Sequence, residues 1–394
     1  MAKLNNGLTL SLDKDLIMAI ALRKLFISLL PICAAFAAYA EPGVTDNRIL
    51  IGQTVGLTGT VAGPVKEMNE GANAYFRLVN KQGGVHGRKI EMRILDDKFD
   101  PALTLANAET LIRQEQVFAL FQGRGTPHTQ GLLPLLEANN VPLVAPSTGA
   151  VVFHEPANRL LFNIRAKYQD EVAKAVEHFA TIGVKSISLL HVDDAFGQDG
   201  LAGFKKAMEV RKLTPVAIST FARVNPDINA TAAEVIKAHP GALIIVSSAK
   251  NTIEVIKSIR AQGGQMQIMT MSNNSSHAFV KELGPAGNGV IVSQITPAPH
   301  LMSTPLGQEF KTATKNSDVT VSYAAMEGFM NAKVLVEGLR RAGRNLTRDG
   351  FIRALESMKR VDFGGLMVTY GPDDHTGSEF VELTMIGKDG RFVR

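Results

Sequence analysis

Small hydroxyl residues and glycines recur in this sequence directly after short apolar runs, and the chemistry such groups perform is the holding of an anion. Four groups stand out: Leu57-Thr58-Gly59-Thr60, Gly123-Arg124-Gly125-Thr126-Pro127, Pro146-Ser147-Thr148-Gly149-Ala150 and Ser272-Asn273-Asn274-Ser275. In the second, Thr126 suits an N-cap and Pro127 the first helical position, which predicts a helix running to about Asn139. The free amides and dipole of its first turn make a ready carboxylate site, and Gly125 lets a ligand approach the backbone closely. Hydroxyls of Thr126, Ser147 and Thr148 add bonds worth about 1.5–3 kcal/mol each when the acceptor is ionised. The plain alternative is that Thr126 merely caps its helix and Ser147-Thr148-Gly149 is merely a turn. Arg124 either pairs with the ligand or lies outward across its loop. Phe196, in His191-Val192-Asp193-Asp194-Ala195-Phe196-Gly197, reads as a loop aromatic that covers a ligand, with burial in its own core as the competing role.

The residue patterns that carry catalysis are missing. There is no GxSxG elbow, GxxxxGK[ST] phosphate loop, HExxH helix or GxGxxG opening a helix, and Gly123-Arg124-Gly125 lacks the third glycine. His191 to Asp194 reads as a strand end followed by solvated acids rather than as metal ligands, since adjacent positions on a strand point to opposite sides. Asp373-Asp374-His375, between Pro372 and Gly377, reads as a turn. No catalytic residue, metal site or cofactor is expected, and an exported hydrolase remains a minor alternative. Basic residues are scattered, and with no tryptophan there is no stacking platform for nucleic acid.

The elements that must position these loops follow from the hydropathy pattern. From Arg48 onward, apolar runs alternate with segments of helical period, the signature of βαβ units building parallel sheets. Strands are predicted at Ile49–Val55, Lys89–Leu95, Val117–Gln122, Val141–Ala145, Ser186–Val192, Ala242–Ser248, Gln267–Met271, Gly289–Ile295, Leu366–Tyr370 and Phe380–Ile386. Helices are predicted at Pro64–Lys81, Ala102–Gln114, Tyr323–Arg341 and Thr347–Met358. In open sheets of this kind ligands bind beyond the carboxyl ends of the strands, where the hydroxyl groups stand.

The N-terminus reads as an export signal. Arg23 and Lys24 precede the apolar run Leu25–Ala38, and Ala38-Tyr39-Ala40 offers small residues for cleavage before Glu41. Met18 makes a more ordinary start than Met1. The run is shorter than the roughly 20 residues of a spanning helix, and Pro31 interrupts it. Cys33, the one cysteine, lies inside this segment, and Ile32 before it argues against a lipid anchor, so a soluble periplasmic protein without disulfides is expected. Removing Lys3, Lys14, Arg23 and Lys24 against Asp13 and Asp15 lowers the formal charge from +5 to +3. The remaining 354 residues exceed what one core usually holds, so two domains are expected.

The segments IGQTVGLTGTVAG, VNKQGGVHGRKIEMRILDDKFDP, ALFQGRGTPHTQGLLPLLEANNVPLVAPSTGA, VDDAFGQDG and YGPDDHTG, in this order over more than 300 residues, resemble the periplasmic leucine/isoleucine/valine-binding proteins of ABC transporters. The resemblance implies the type I periplasmic binding fold: α/β, with two Rossmann-like lobes joined by a three-crossing hinge. It implies residues 41–164 with 295–370 for lobe 1 and 165–294 with 371–394 for lobe 2, after a signal segment at 1–40. It also implies a non-enzymatic monomer that binds a small carboxylate or amino acid and delivers it to permease subunits, or else serves a sensing partner. The positions that hold the family's ligand carboxylate correspond to Thr126 and to Ser147 with Thr148 and Gly149, and its covering aromatic to Phe196; the strand-end loops add Thr58, Gly125, Ser272 and Asn273 to the expected site. Where family members carry an acid for the ligand's ammonium, this chain has Ser272 and Asn273, and a family aromatic is replaced near Ala249. That departure implies a ligand without an amino group, or an acid supplied from elsewhere, such as Asp194.

Overall fold

The structure, a computed structural model, describes residues 41–394. The predicted export signal and Cys33 lie outside the described residues.

In chain order the elements that matter are β1 (Arg48–Val55), α1 (Ala62–Lys81), β2 (Lys89–Asp96), α2 (Pro101–Glu109), β3 (Ala119–Phe121), α3 (Thr126–Asn139), β4 (Leu143–Val144) and β5 (Leu161–Phe162). Then come α4 (Tyr168–Thr181), β6 (Ile187–Val192), α5 (Ala195–Val210), β7 (Ile218–Phe221), α6 (Ile228–Lys237), β8 (Ala242–Val246), α7 (Ala249–Ala261), β9 (Gln267–Thr270), α8 (His277–Leu283) and β10 (Ile291–Gln294). The chain ends with α9 (Pro305–Thr314), α10 (Tyr323–Ala342), α11 (Arg348–Glu356), β11 (Val361–Asp362), β12 (Met367–Gly371), β13 (Asp374–Gly377), β14 (Glu382–Ile386) and β15 (Phe392–Val393).

Two sheets carry the fold. The first is parallel throughout, in the order β2-β1-β3-β4-β5. The second runs β15-β14-β10-β9-β8-β6-β7, parallel except where β14 joins β10 and β15 joins β14. Strands β6 and β8 are buried at every position, as a strand covered by helices on both faces must be. The outer strand β7 instead alternates exposed and buried residues. The chain passes between the sheets three times: after β5, after β10, and after β13, which lies beside β5 through the Asn163 amide donating to the His375 carbonyl at 2.9 Å.

Two glycines let α1 and α10 touch backbone to backbone. A Cβ on Gly71 would stand 1.8 Å from the Ala325 carbonyl oxygen, and one on Gly328 would stand 1.8 Å from that of Met68. Buried aromatics fill the space around this contact, with Tyr75 and Phe310 both edge-on to Phe329.

Most predicted elements lie within a residue or two of the observed ones. The helix expected over Ala102–Gln114 is regular only to Glu109 and continues as a π turn over Thr110–Gln114. The turn expected at Asp373–His375 is shorter and falls at Pro372 and Asp373 between β12 and β13; β13 begins at Asp374, and His375 is buried against the Phe162 ring at 4.0 Å between centroids. Its Nδ1 lies 2.9 Å from the Asn158 carbonyl oxygen, so packing rather than solvation decides its place.

Candidate functional site

Strand order reverses between β1 and β3 in the first sheet and between β6 and β8 in the second. Loops leaving the sheet in opposite directions at such a point open a crevice at the carboxyl ends of the strands. The residues that follow β1, β2, β3 and β4 in one sheet and β6, β7, β8 and β9 in the other meet around a single cavity of about 20 Å³. That is room for about one water molecule. A larger solute does not fit the cavity as it stands.

Gly125, Thr126, Ser147, Phe196 and Asn273 line this cavity, together with Arg124. Gly125 has φ 104°, and a Cβ there would stand 2.4 Å from His128 Nδ1, so both the turn and the packing demand glycine. The helix cap falls at Gly125 rather than at Thr126, and no side chain caps it. Thr126 is therefore already helical, and its hydroxyl, freed from capping, shares a 2.8 Å hydrogen bond with the Thr148 hydroxyl. Thr148, fully buried, stands behind Thr126 and is not itself on the cavity wall.

Arg124 spans the two halves. Its Nη1 donates to Ser147 Oγ at 3.3 Å and its Nη2 to the Asn273 carbonyl oxygen at 2.8 Å. It is 6% exposed, and no carboxylate lies within ion-pair distance of it among the described residues. Burial pulls its guanidinium below its ordinary pKa, with Glu327 acting against that pull.

Phe196 lies in the first turn of α5, not in the loop expected for it, because Asp194 caps that helix by accepting from the amides of Phe196 at 2.9 Å and Gly197 at 3.2 Å. Its ring still reaches the cavity, against Tyr168 at 4.6 Å between centroids. The second oxygen of Asp194 is held by Arg223 Nε at 2.5 Å.

Ser272 and Thr58 are elsewhere. Ser272 belongs to a buried ion-pair network: Arg165 Nη2 donates to Ser272 Oγ and, at 3.0 Å, to Glu171, which also accepts from the Ser272 amide at 2.9 Å and from the Ser272 and Ser293 hydroxyls. Every lone-pair direction of Glu171 is thereby occupied. Arg165 Nη1 lies 3.6 Å from Glu327, a carboxyl that burial pushes up and the Arg165 and Arg124 charges pull down, with a net rise. The Thr58 hydroxyl donates to Asp96 at 2.7 Å on an exposed loop, off the cavity wall.

Sequence reasoning overlooked Val61, Phe99, Tyr168, Arg223 and Ser248 on the wall. Phe99 stands just after β2 and before the Asp100-Pro101 helix start, the same strand-end signal that marked the other loops. Its ring stacks on His128 at 4.3 Å and lies under the Arg223 guanidinium at 5.2 Å. Arg223 follows β7, a strand the apolar pattern did not reveal because half of it is exposed. Among the described residues, no group of three or more His, Cys, Asp or Glu side chains is placed to hold a metal, and no helix is long and apolar enough to cross a membrane.

The comparisons with known proteins agree with this architecture. Residues 48–391 match the periplasmic binding protein family. The chain is 22% identical over 364 residues to the Leu/Ile/Val-binding protein homolog 3 of Brucella melitensis, covering 91% of this chain and 95% of that protein. The solved structure of a substrate-binding periplasmic protein from Ralstonia solanacearum superposes with a TM-score of 0.82 at 29% identity, over 88% of this chain and 99% of that one. A possible leucine/isoleucine/valine-binding protein from Rhodopirellula baltica superposes with a TM-score of 0.83 at 24% identity, over 88% and 96%. With the family matched over nearly the whole described chain, and with two doubly wound sheets facing one cavity across three crossings, the protein belongs to the periplasmic binding protein family, in the type I fold and of the kind that includes the Leu/Ile/Val-binding proteins.

Proposed function

We propose that this protein is the extracytoplasmic binding component of an ABC importer, exported with its N-terminal segment removed, and that it captures a small carboxylate between two lobes without catalysing any reaction. The observation that carries this reading is Arg124, a buried guanidinium on the cavity wall with no carboxylate in ion-pair contact. A buried charge is costly unless paired, and an arginine fork matches a carboxylate in both geometry and sign. Thr126 and Ser147 stand beside it with hydroxyls that can donate to the same oxygens.

In this reading the ligand docks first on Arg124, Gly125, Thr126 and Ser147. Closure then brings Phe196, Arg223, Ser248 and Asn273 over it. The closed state gains population because only there does the ligand touch both sides, and the permease subunits recognise that state.

A thermal-shift screen against aliphatic acids, aromatic acids, amino acids and amides tests the reading, since a solute bound only by the folded state raises the melting temperature by mass action. Carboxylates are expected to shift the wild type and to leave Arg124→Met unshifted. Amides that shift the wild type while carboxylates do not, or an Arg124→Met protein that responds to carboxylates as the wild type does, would remove the proposed role.

A further inference from the structure

We infer that the ligand of this site carries a carboxylate but no ammonium group, so that it is a deaminated organic acid rather than an amino acid. The inference rests on the carboxylate reading above and goes further, to what stands beside the rest of the ligand.

The cavity wall holds two guanidiniums, Arg124 and Arg223, and no carboxylate. Five acids around the wall residues are held in other contacts. Asp194 caps α5 with one oxygen and holds Arg223 with the other. Glu171 accepts from Arg165, Ser272 and Ser293. Asp97, behind Phe99, accepts from the Phe99 amide and from the Thr54 and Thr104 hydroxyls. Asp96 holds the amides of Leu57, Thr58 and Lys98. Glu327 is off the wall and faces Arg165.

An ammonium closed into this cavity would meet two guanidiniums and no carboxylate on the wall. Burying an unpaired charge costs far more than burying a methylene in its place. The neutral acceptors at the wall are hydroxyls, such as those of Ser147 and Ser248, and Asn273 Oδ1, which is buried and has no donor. They suit a hydroxyl or a water, and supply no charge.

Behind the wall, Glu327 feels both Arg124 and Arg165, so a ligand carboxylate that takes Arg124 as its partner leaves Glu327 with Arg165, which Glu171 already shares. Glu327 is the acid placed to take up a proton in answer. Its facing groups are Arg165, Arg124, Glu171 and Ser147, and it makes no direct hydrogen bond to a charged group.

The test compares each amino acid with its deaminated twin: L-leucine with 4-methylpentanoate, L-phenylalanine with 3-phenylpropanoate, and L-glutamate with pentanedioate. The chain is expressed from its whole sequence, unfolded and refolded to strip bound solute, and titrated calorimetrically with each. In any pair that binds, the deaminated acid is expected to bind at least tenfold tighter. If an amino acid binds as tightly as its twin or tighter, the inference is overturned while the carboxylate reading stands. If no member of any pair binds, the carboxylate reading itself falls and takes the inference with it.

Discussion

The Glu67 carboxylate accepts the Ala278 backbone amide at 2.7 Å, with its other oxygen on the His277 amide at 2.8 Å. Glu67 lies on α1, which follows β1 of the first sheet, and the two amides open α8, which follows β9 of the second. A carboxylate from one half thus satisfies the free amides of a helix start in the other. On the opposite flank Asp199 of α5 accepts the Val151 amide at 3.0 Å. Both contacts join the two halves.

Glu67→Ala is expected to loosen that junction. Charged hydrogen bonds of this kind are worth about 1.5–3 kcal/mol, so the ligand-free protein should melt several degrees lower. Its radius of gyration by X-ray scattering should rise toward that of an opened protein. An unchanged radius would show that the contact does not hold the halves together.

The contact of α1 with α10 allows little change. Gly328→Ala would place a methyl carbon inside the Met68 carbonyl, and backbone cannot retreat as a flexible side chain does. A loss of about 1–3 kcal/mol or more is expected, read as a lower midpoint in urea. Gly131→Ala, on α3 where a Cβ meets nothing, serves as the control and should be neutral or stabilising.

Removing the Thr126 hydroxyl should weaken ligand binding at least tenfold, about 1.4 kcal/mol. Thr126→Ser should restore most of that affinity. Because the hydroxyl does not cap α3, the melting temperature of Thr126→Ala without ligand should stay close to the wild type. A large drop would mean that its bond to Thr148 serves the fold instead.

The pH dependence of stability should show the buried histidines. Burial lowers His128 to about 4 and His154 to about 3, from an ordinary value of 6.5. Neither His128 ring nitrogen has a hydrogen-bond partner. As pH falls below 6.5 the unfolded chain takes up protons that the folded one refuses, so stability is full above 6.5 and is lost progressively down to about 4 and 3. The acids raised by burial, Asp97, Asp199 and Glu327, act with the opposite sign. The difference between wild type and His128→Gln isolates the histidine: it should grow in the variant's favour by roughly 2–3 kcal/mol between pH 7 and pH 4.5. A constant difference would show that His128 is solvated or charged in the folded state.

If Glu327 takes up a proton when a carboxylate binds, affinity should rise as pH falls. The binding heat should also differ between phosphate and Tris buffers in proportion to their ionisation enthalpies. Glu327→Gln should abolish the buffer dependence while retaining binding. Equal heats for the wild type in both buffers would exclude the uptake.

The alternation of strands and helices was legible because it is written locally: period-two and period-3.6 apolar spacing, an Asp100-Pro101 helix start, glycines after helix ends. The loops at strand ends were legible for the same reason, and Gly125, Thr126, Ser147, Phe196 and Asn273 all reach the cavity wall. Details set by neighbours were not. Thr126 was expected to cap its helix, but the left-handed turn at Gly125 places the cap one residue earlier. Ser272 and Asn273 are adjacent and alike in polarity, yet Asn273 reaches the wall while Ser272 turns to Arg165 and Glu171, residues more than a hundred positions away.

The sequence by itself determined the element order, the parallel α/β class and the hydroxyl-bearing loops at the strand ends, since each depends on residues close along the chain. Only the tertiary structure decided which loops of one sheet face which loops of the other. That pairing ties Asp194 to Arg223, occupies Glu171 with Arg165, and leaves Arg124 as the buried charge without an acid beside it. The physical reason is that a charge's partner is set by distance in space, and Arg124 and Asn273, which meet here, stand 149 positions apart along the chain.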